Sequence, residues 1–303
     1  MIKYLQFLIL CLIWGTTYAA IKIGSESTPP MLGLAIRYAI ALSLLFPIIK
    51  LTGRKIPLDK ASVKLYIVVG IFSMGLSYLC TYWSMNFIPS SLSSILWATF
   101  PLFSGIIANF MLPAENLNLR RLSSIILATI GVVLILSDQQ LIFSAEILVG
   151  CLVVILGVIM GSFPNVYIKT HGENFDPMVL TAMSLAIGGT IHLTGALISG
   201  QFTEMSWTIR NIGAAAYLGI FGSAAAFFIY YSLLRKTEVV KVSFVTFLTP
   251  IVASMVGIVF LHEIITLKEI VGILMIFSGL FIYDFMKYYR YIGNFKTRRR
   301  VTV

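Results

Sequence analysis

Arg37 interrupts the apolar run MLGLAIRYAIALSLLF, and His192 interrupts SLAIGGTIHLTGAL. A permanent cation and an imidazole inside hydrophobic sequence are groups that could do chemistry. Arginine presents its N–H donors in a rigid fork, so its chemistry there is anion binding. An unperturbed imidazole titrates near pH 6.5, so the chemistry of His192 would be proton coupling. Each also has a structural reading: Arg37 as a clamp between helices, His192 as a hydrogen-bonded packing residue.

Polar and aromatic residues inside other apolar blocks extend the candidate set. Thr16, Thr17 and Tyr18 break the first block, and Tyr78 and Tyr82 lie one helical turn apart. Ser93, Ser94, Trp97 and Pro101 recur at spacings of three and four, Asn165 follows the stretch Gly161 to Pro164, and Tyr230 and Tyr231 sit near the end of a later block. Hydroxyls and amides in hydrocarbon seek partners, so some of these should converge on an interior. The substrate-binding candidates are Thr16, Thr17, Tyr18, Arg37, Tyr78, Tyr82, Trp97, Asn165 and Tyr230. As a group they describe a mildly polar, aromatic cavity for a small organic molecule. Cys11, Cys80 and Cys151 show no metal or redox spacing. HExxH, P-loop and clustered-aspartate patterns are missing, so neither a metal, a cofactor nor catalytic residues are expected.

The elements that must hold these residues follow from composition. Of 303 residues, 58% are hydrophobic and 11% charged, with mean hydropathy +0.94; a soluble domain is about 25% charged. The apolar residues fall into blocks of roughly 18 to 23, the length of helix that crosses about 30 Å of hydrocarbon. Ten spans are predicted, at about 4–24, 31–50, 63–85, 91–112, 120–138, 147–168, 177–199, 211–235, 240–261 and 268–287. The blocks are continuously apolar, which excludes the short alternating segments of a membrane barrel. The first block lacks a convincing cleavage site and nine spans follow it, so it reads as a mature helix.

Net charge is +10, yet its distribution points to membrane topology and not to nucleic acid. With the N-terminus inside, 18 of 22 basic residues fall on the cytoplasmic side. Both termini are therefore expected in the cytoplasm, with the chain in the cell's inner (plasma) membrane. The tail from 288 to 303 is basic and aromatic, a composition suited to anionic membrane lipids.

The chain also repeats itself. A shift of 149 positions aligns Tyr78 with Phe227, Tyr82 with Tyr231 and Pro101 with Pro250. After one extra residue in the first copy, Glu115 aligns with Glu263, Arg120 with Lys268 and Gly131 with Gly279. The predicted architecture is all-α: two five-helix repeats, residues 4–140 and 145–287, followed by the tail. Five is odd, so the second copy enters from the opposite side and the repeats are inverted around a central cavity.

These residues resemble the drug/metabolite transporter superfamily, in particular its EamA-type members. The resemblance rests on WGTTYAAIK from Trp14, on PPMLGLAIRY with Arg37, and on the order proline, small residues, glutamate, glycine. That order appears as Pro101, Glu115, Gly131 and again as Pro250, Glu263, Gly279. It is thinner at the front of the second copy, where GVIMGSFPNVYIK replaces the first opening and Ser184 stands in place of an arginine. The family implies ten helices, a central cavity and transport of small metabolites, often outward.

Pro101 and Pro250 read either as bends facing a pathway or as packing kinks, since proline removes a backbone donor. Glu115 and Glu263 come at span ends and read as caps at the start of the next helix. The function expected is a secondary transporter that moves an amino acid, amine or related compound, with export one direction, by alternating access. Its partners would be the solute and lipid, and it would be a monomer or weak homodimer. The alternatives are an integral membrane enzyme or a channel without a recognisable motif.

Overall fold

The computed structural model describes residues 2–88, 90–112, 117–135, 144–172, 174–206, 208–249, 251–252, 267–268 and 270–283. Pro250, Glu115, Glu263 and the basic tail lie outside the described residues. The described part is helical: α1 (Ile2–Ser25), α2 (Pro30–Leu51), α3 (Lys60–Ser84), α4 (Ser90–Trp97), α5 (Phe100–Met111), α6 (Leu119–Ile135), α7 (Ala145–His171), α8 (Pro177–Ile198), α9 (Ile209–Lys236), α10 (Val239–Thr249) and α11 (Ile270–Tyr283). Among the described residues, seven helical stretches are long and apolar enough to cross a membrane: α1, α2, α3, Leu92–Met111, α7, α8 and α9. The protein is a multi-pass membrane protein.

Starts and stops follow local chemistry. Ser144 caps α7, Asp176 caps α8, and Thr208 with Asn211 forms a reciprocal capping box on α9. Asp59 caps α3 by accepting from the Ala61 and Ser62 amides. Hydrogen bonds from the Ser62 side chain and backbone hold its carboxyl below the usual range. That cap is therefore present above the ordinary carboxylate pKa and is lost as pH falls through the lowered one. Between Trp97 and Phe100 the helix is interrupted by a turn at Ala98–Thr99, and Pro101 sits in the first turn of α5, where its missing N–H costs least.

Two helices depart from α geometry midway. Val69–Ser77 of α3 and Ile220–Ala225 of α9 are π-helical. A π turn lengthens the hydrogen-bonded loop by one residue and leaves a carbonyl without its usual donor. In α3 the Tyr78 amide reaches Ser73 O and Gly75 O, and Met74 O is served instead by Tyr38 Oη at 3.0 Å and His192 Nε2 at 2.9 Å. A carbonyl only accepts, so Nε2 of His192 carries the ring proton.

Lipid tails are as apolar as leucine, so helices associate through close packing at small residues. A Cβ on Gly70 would lie 2.6 Å from Ile187 Cβ and 3.2 Å from Ser184 O. A Cβ on Gly219 would lie 2.7 Å from Ile40 Cβ and 3.0 Å from Arg37 O. These are matched contacts of α3 on α8 and of α9 on α2. Along the α2–α8 crossing, Met31 faces Gly195 while Tyr38 faces Gly189, so the two helices run antiparallel. The α6–α11 crossing behaves likewise, with Gly131 against Gly272 and Met275, and Gly279 against Ser124 and Ala128.

Connections gather at two ends. At one, Arg54 pairs with Asp176, Arg235 Nη1 donates to Phe175 O at 3.1 Å, and Lys3 Nζ donates to Lys236 O at 3.3 Å. At the other, Ser206 N donates to Ser27 O at 3.1 Å, Asn211 Nδ2 to Thr28 Oγ1 at 3.2 Å, and Gln201 Oε1 accepts from the Met31 and Leu32 amides at 3.1 Å.

Gly70→Val and Gly219→Val should each cost about 1–3 kcal/mol by forcing packed backbones apart. Thermal melts of the purified protein in detergent check this. Gly213→Ala, where an added Cβ meets nothing within 4 Å, should leave the midpoint unchanged.

Candidate functional site

α1 to α5, with α7, α9 and α10, leave between them a cavity of ≈ 70 Å³. Aromatic side chains make most of its wall: Trp14 and Tyr18 from α1, Tyr78 from α3, and Phe227, Tyr230 and Tyr231 from α9, with Trp97 and Phe100 where α4 gives way to α5. The Trp14 ring lies 5.2 Å from Tyr230 and 5.9 Å from Phe227, and Phe227 lies 5.6 Å from Tyr78. These spacings are those of edge-on and offset aromatic pairs.

Most of the polar lining is already engaged. Thr17 Oγ1 donates to Trp14 O at 2.8 Å, Asn165 Nδ2 to Gly161 O at 2.7 Å, and Thr249 Oγ1 to Thr246 O at 3.0 Å. Thr81 Oγ1 donates to Ser77 O at 3.0 Å and accepts from Trp97 Nε1 at 3.1 Å. Among the described residues, Trp14 Nε1 and Tyr230 Oη in the wall are buried and have no hydrogen-bond partner.

Arg37 reaches the cavity from α2 and is 1% exposed. Its Nε donates to Ser223 Oγ at 2.6 Å, Nη1 to Tyr82 Oη at 3.2 Å and Nη2 to Gly222 O at 2.8 Å. Its guanidinium carbon stands 5.0 Å from the centre of the Tyr78 ring. The Gly222 carbonyl is available because the π turn of α9 sends the Ala226 amide to Phe221 O and Ser223 O. Gly222 also leaves the space: a Cβ there would lie 3.3 Å from Nη2 and 3.0 Å from Thr17 Cγ2. No described carboxylate pairs with Arg37. The positive charge is held by neutral acceptors and a π face.

Of the nine residues proposed from sequence, Thr17, Tyr18, Arg37, Tyr78, Trp97, Asn165 and Tyr230 line the cavity. Thr16 does not: its hydroxyl donates to Leu12 O and Ile13 O and meets the Tyr217 hydroxyl. Tyr82 stands behind Arg37, in a separate ≈ 30 Å³ recess with Thr28 and Asn211. His192 is fully buried away from the cavity, its ring 5.8 Å from Tyr38. Sequence reasoning passed over Ser223 and Gly222, whose signal was the run of small residues GSAAA in a long apolar block. It also passed over Ser73, Thr81 and Phe227 as lining residues.

Comparison with known proteins agrees with this architecture. The sequence profile of the EamA-like transporter family matches residues 1–137 and again 148–283. The chain is 28% identical to the uncharacterized transporter YoaV of Bacillus subtilis, covering 90% of this chain and 94% of the relative. It is 25% identical to protein PecM of Dickeya dadantii, covering 89% and 88%, and 25% identical to the uncharacterized inner membrane transporter YedA of Escherichia coli K12, covering 82% and 79%. One solved crystal structure superposes with a TM-score of 0.76 at 16% identity, over 94% of this chain and 96% of the other, a likeness of fold.

Ser223→Ala and Tyr82→Phe each remove an acceptor from the buried guanidinium, which should lower stability by about 1–3 kcal/mol. Denaturation midpoints read the loss. Ser43→Ala, whose exposed hydroxyl donates within its own helix, should change it little.

Proposed function

The chain belongs to the EamA-like transporter family, and on that premise we propose that it is a secondary carrier moving a small organic solute across the membrane by alternating access. The observation that carries this reading is the position of the cavity. Its wall is shared between α1–α5 and α7, α9 and α10, so any relative rocking of the two halves reshapes it.

The reading includes ten spans, two inverted repeats at 4–140 and 145–287, and cytoplasmic termini ahead of and behind them. Support comes from the antiparallel crossings of α2 with α8 and α6 with α11, the pairs that the sequence duplication makes equivalent. Further support comes from the π turns at corresponding places in α3 and α9. The polar ties at the two ends would serve as alternate closures: Arg54–Asp176 and Arg235 with Phe175 at the cytoplasmic end, Gln201, Ser206 and Asn211 at the outer one.

The solute would contact Thr17, Tyr18, Arg37, Tyr78, Trp97, Asn165 and Tyr230. Thr16 and Tyr82 would act behind that layer. His192 stays outside the transport step in this reading, because its ring proton is committed to Met74 O. Pro101 would mark the joint between α4 and α5 beside Phe100.

Solute profiles of cells overexpressing or lacking the protein supply the test compound, and proteoliposomes then test it. Saturable counterflow of that labelled solute is expected, with tags at residues 140–146 and at the C-terminus reporting opposite compartments. Absence of counterflow, or both tags in one compartment, sinks the proposal. Arg54→Gln should raise cytoplasmic maleimide labelling of a cysteine placed at Thr246, in a background without the three native cysteines.

A further inference from the structure

The charges in the cavity wall say which solutes it suits. Arg37 is the single charged side chain among the described lining residues. Three of its N–H groups are bound to Ser223, Tyr82 and Gly222, and no described carboxylate neutralises it. A guanidinium carries five N–H groups, so these bonds, even with the Tyr78 hydroxyl close by, do not use them all. Trp14 Nε1 and the Tyr230 hydroxyl add groups without a partner among the described residues. Indole nitrogen can only donate, and a phenol hydroxyl can donate or accept.

We infer that the cavity takes a flat organic anion carrying no amine, its carboxylate-like or sulfonate-like group held by Arg37, Trp14 and Tyr230 and its ring between the aromatic side chains. An anion supplies the countercharge that the buried guanidinium lacks, and its several lone pairs match the surplus of donors. The rings of Trp14, Tyr78, Phe227 and Tyr230 stand 5.2–5.9 Å from one another in sequence, giving faces and edges for a planar body. An ammonium group would meet Arg37 as a like charge and find no described carboxylate in the wall. The inference rests on the carrier reading for its purpose and narrows it: of the amino acids, amines and related compounds expected from sequence, both the amino acids and the amines drop out and an amine-free anion remains.

The test uses three small probes of one shape on the purified full-length protein. They are benzenesulfonate, which stays ionised and does not leak through lipid, benzenesulfonamide, which is neutral, and benzylamine, which is a cation. L-phenylalanine is added as a zwitterion. Equilibrium binding of the labelled probes in detergent should favour benzenesulfonate by about tenfold or more over the others, the scale of a charge-assisted bond. Arg37→Gln should weaken benzenesulfonate roughly tenfold to a hundredfold and leave benzenesulfonamide unchanged. Tyr230→Phe keeps the ring and Trp14→Phe keeps an aromatic ring of smaller size; each removes one hydrogen-bonding group, and each should weaken the anion by about tenfold more than it weakens benzenesulfonamide. These two variants decide the matter if Arg37→Gln does not fold.

Equal or tighter binding of benzylamine or L-phenylalanine overturns the inference, as does binding of no probe, or a sulfonate preference that survives all three substitutions. Proteoliposome counterflow separates this from the carrier reading. Anion binding that depends on Arg37 without any counterflow would refute the carrier and leave the anion site standing. Counterflow that prefers the amine would do the reverse.

Discussion

Everything in the middle of this protein is arranged around one contact, the donation from Arg37 Nη2 to the Gly222 carbonyl. In hydrocarbon neither group can stand alone: a carbonyl released by a π turn has no water to turn to, and a guanidinium has no counter-ion. The contact satisfies both. It also fixes where α9 lies against α2, because Gly219, one turn earlier, packs on Ile40 and on the Arg37 carbonyl. The same device appears on the other side of the molecule with different chemistry. There the released carbonyl is Met74 O, and the donors are Tyr38 and His192. The carbonyl released in α9 is thus met by a guanidinium and the one in α3 by a phenol and an imidazole, in keeping with Ser184 standing where the expected repeat would repeat Arg37.

Because lipid gives helices no hydrophobic reason to associate, the frame depends on surfaces that can come very close. Gly70, Gly131, Gly219 and Gly279 each bring one helix against the backbone of another. At these joints a side chain of one helix, such as Ile187 or Ile40, seats in the notch that a glycine of the other leaves open. The aromatic wall of the cavity is different in kind: its large rings fill space without crossing between backbones.

The sequence was most informative where a residue violated its surroundings. Length and hydropathy of the blocks sufficed for membrane helices, and Arg37 was visible as a cation among aliphatics. The expected duplication rests on Pro101, Gly131 and their counterparts, because prolines and glycines keep their places when other side chains drift. Less was visible where function depends on helix phase. Thr16 and Thr17 are neighbours, and adjacent helical positions differ by about 100° in direction; only Thr17 turns inward. Tyr78 and Tyr82 share a face, yet Arg37 passes between their roles, stacking on the first and donating to the second. The π turns were hidden because a single extra residue in a helical turn leaves no mark on an apolar run. Trp14 and Tyr230 were easy to see as aromatic residues and impossible to see as donors without partners, since that status depends on what the fold places beside them.

The connections at the two ends are made of different materials. One end is joined through the Arg54–Asp176 pair, about one third exposed, while Arg121 of α6 with Glu238 and Lys241 at the start of α10 form a second charged group. The opposite end is joined mainly by amide and hydroxyl contacts, and its Arg210–Glu26 pair is too exposed to add much. Dissolved ions screen the first kind of junction and leave the second almost untouched. For the carrier proposed above, this would make ionic strength a one-sided influence: it would loosen a single door and so tilt the resting equilibrium without touching the passage between.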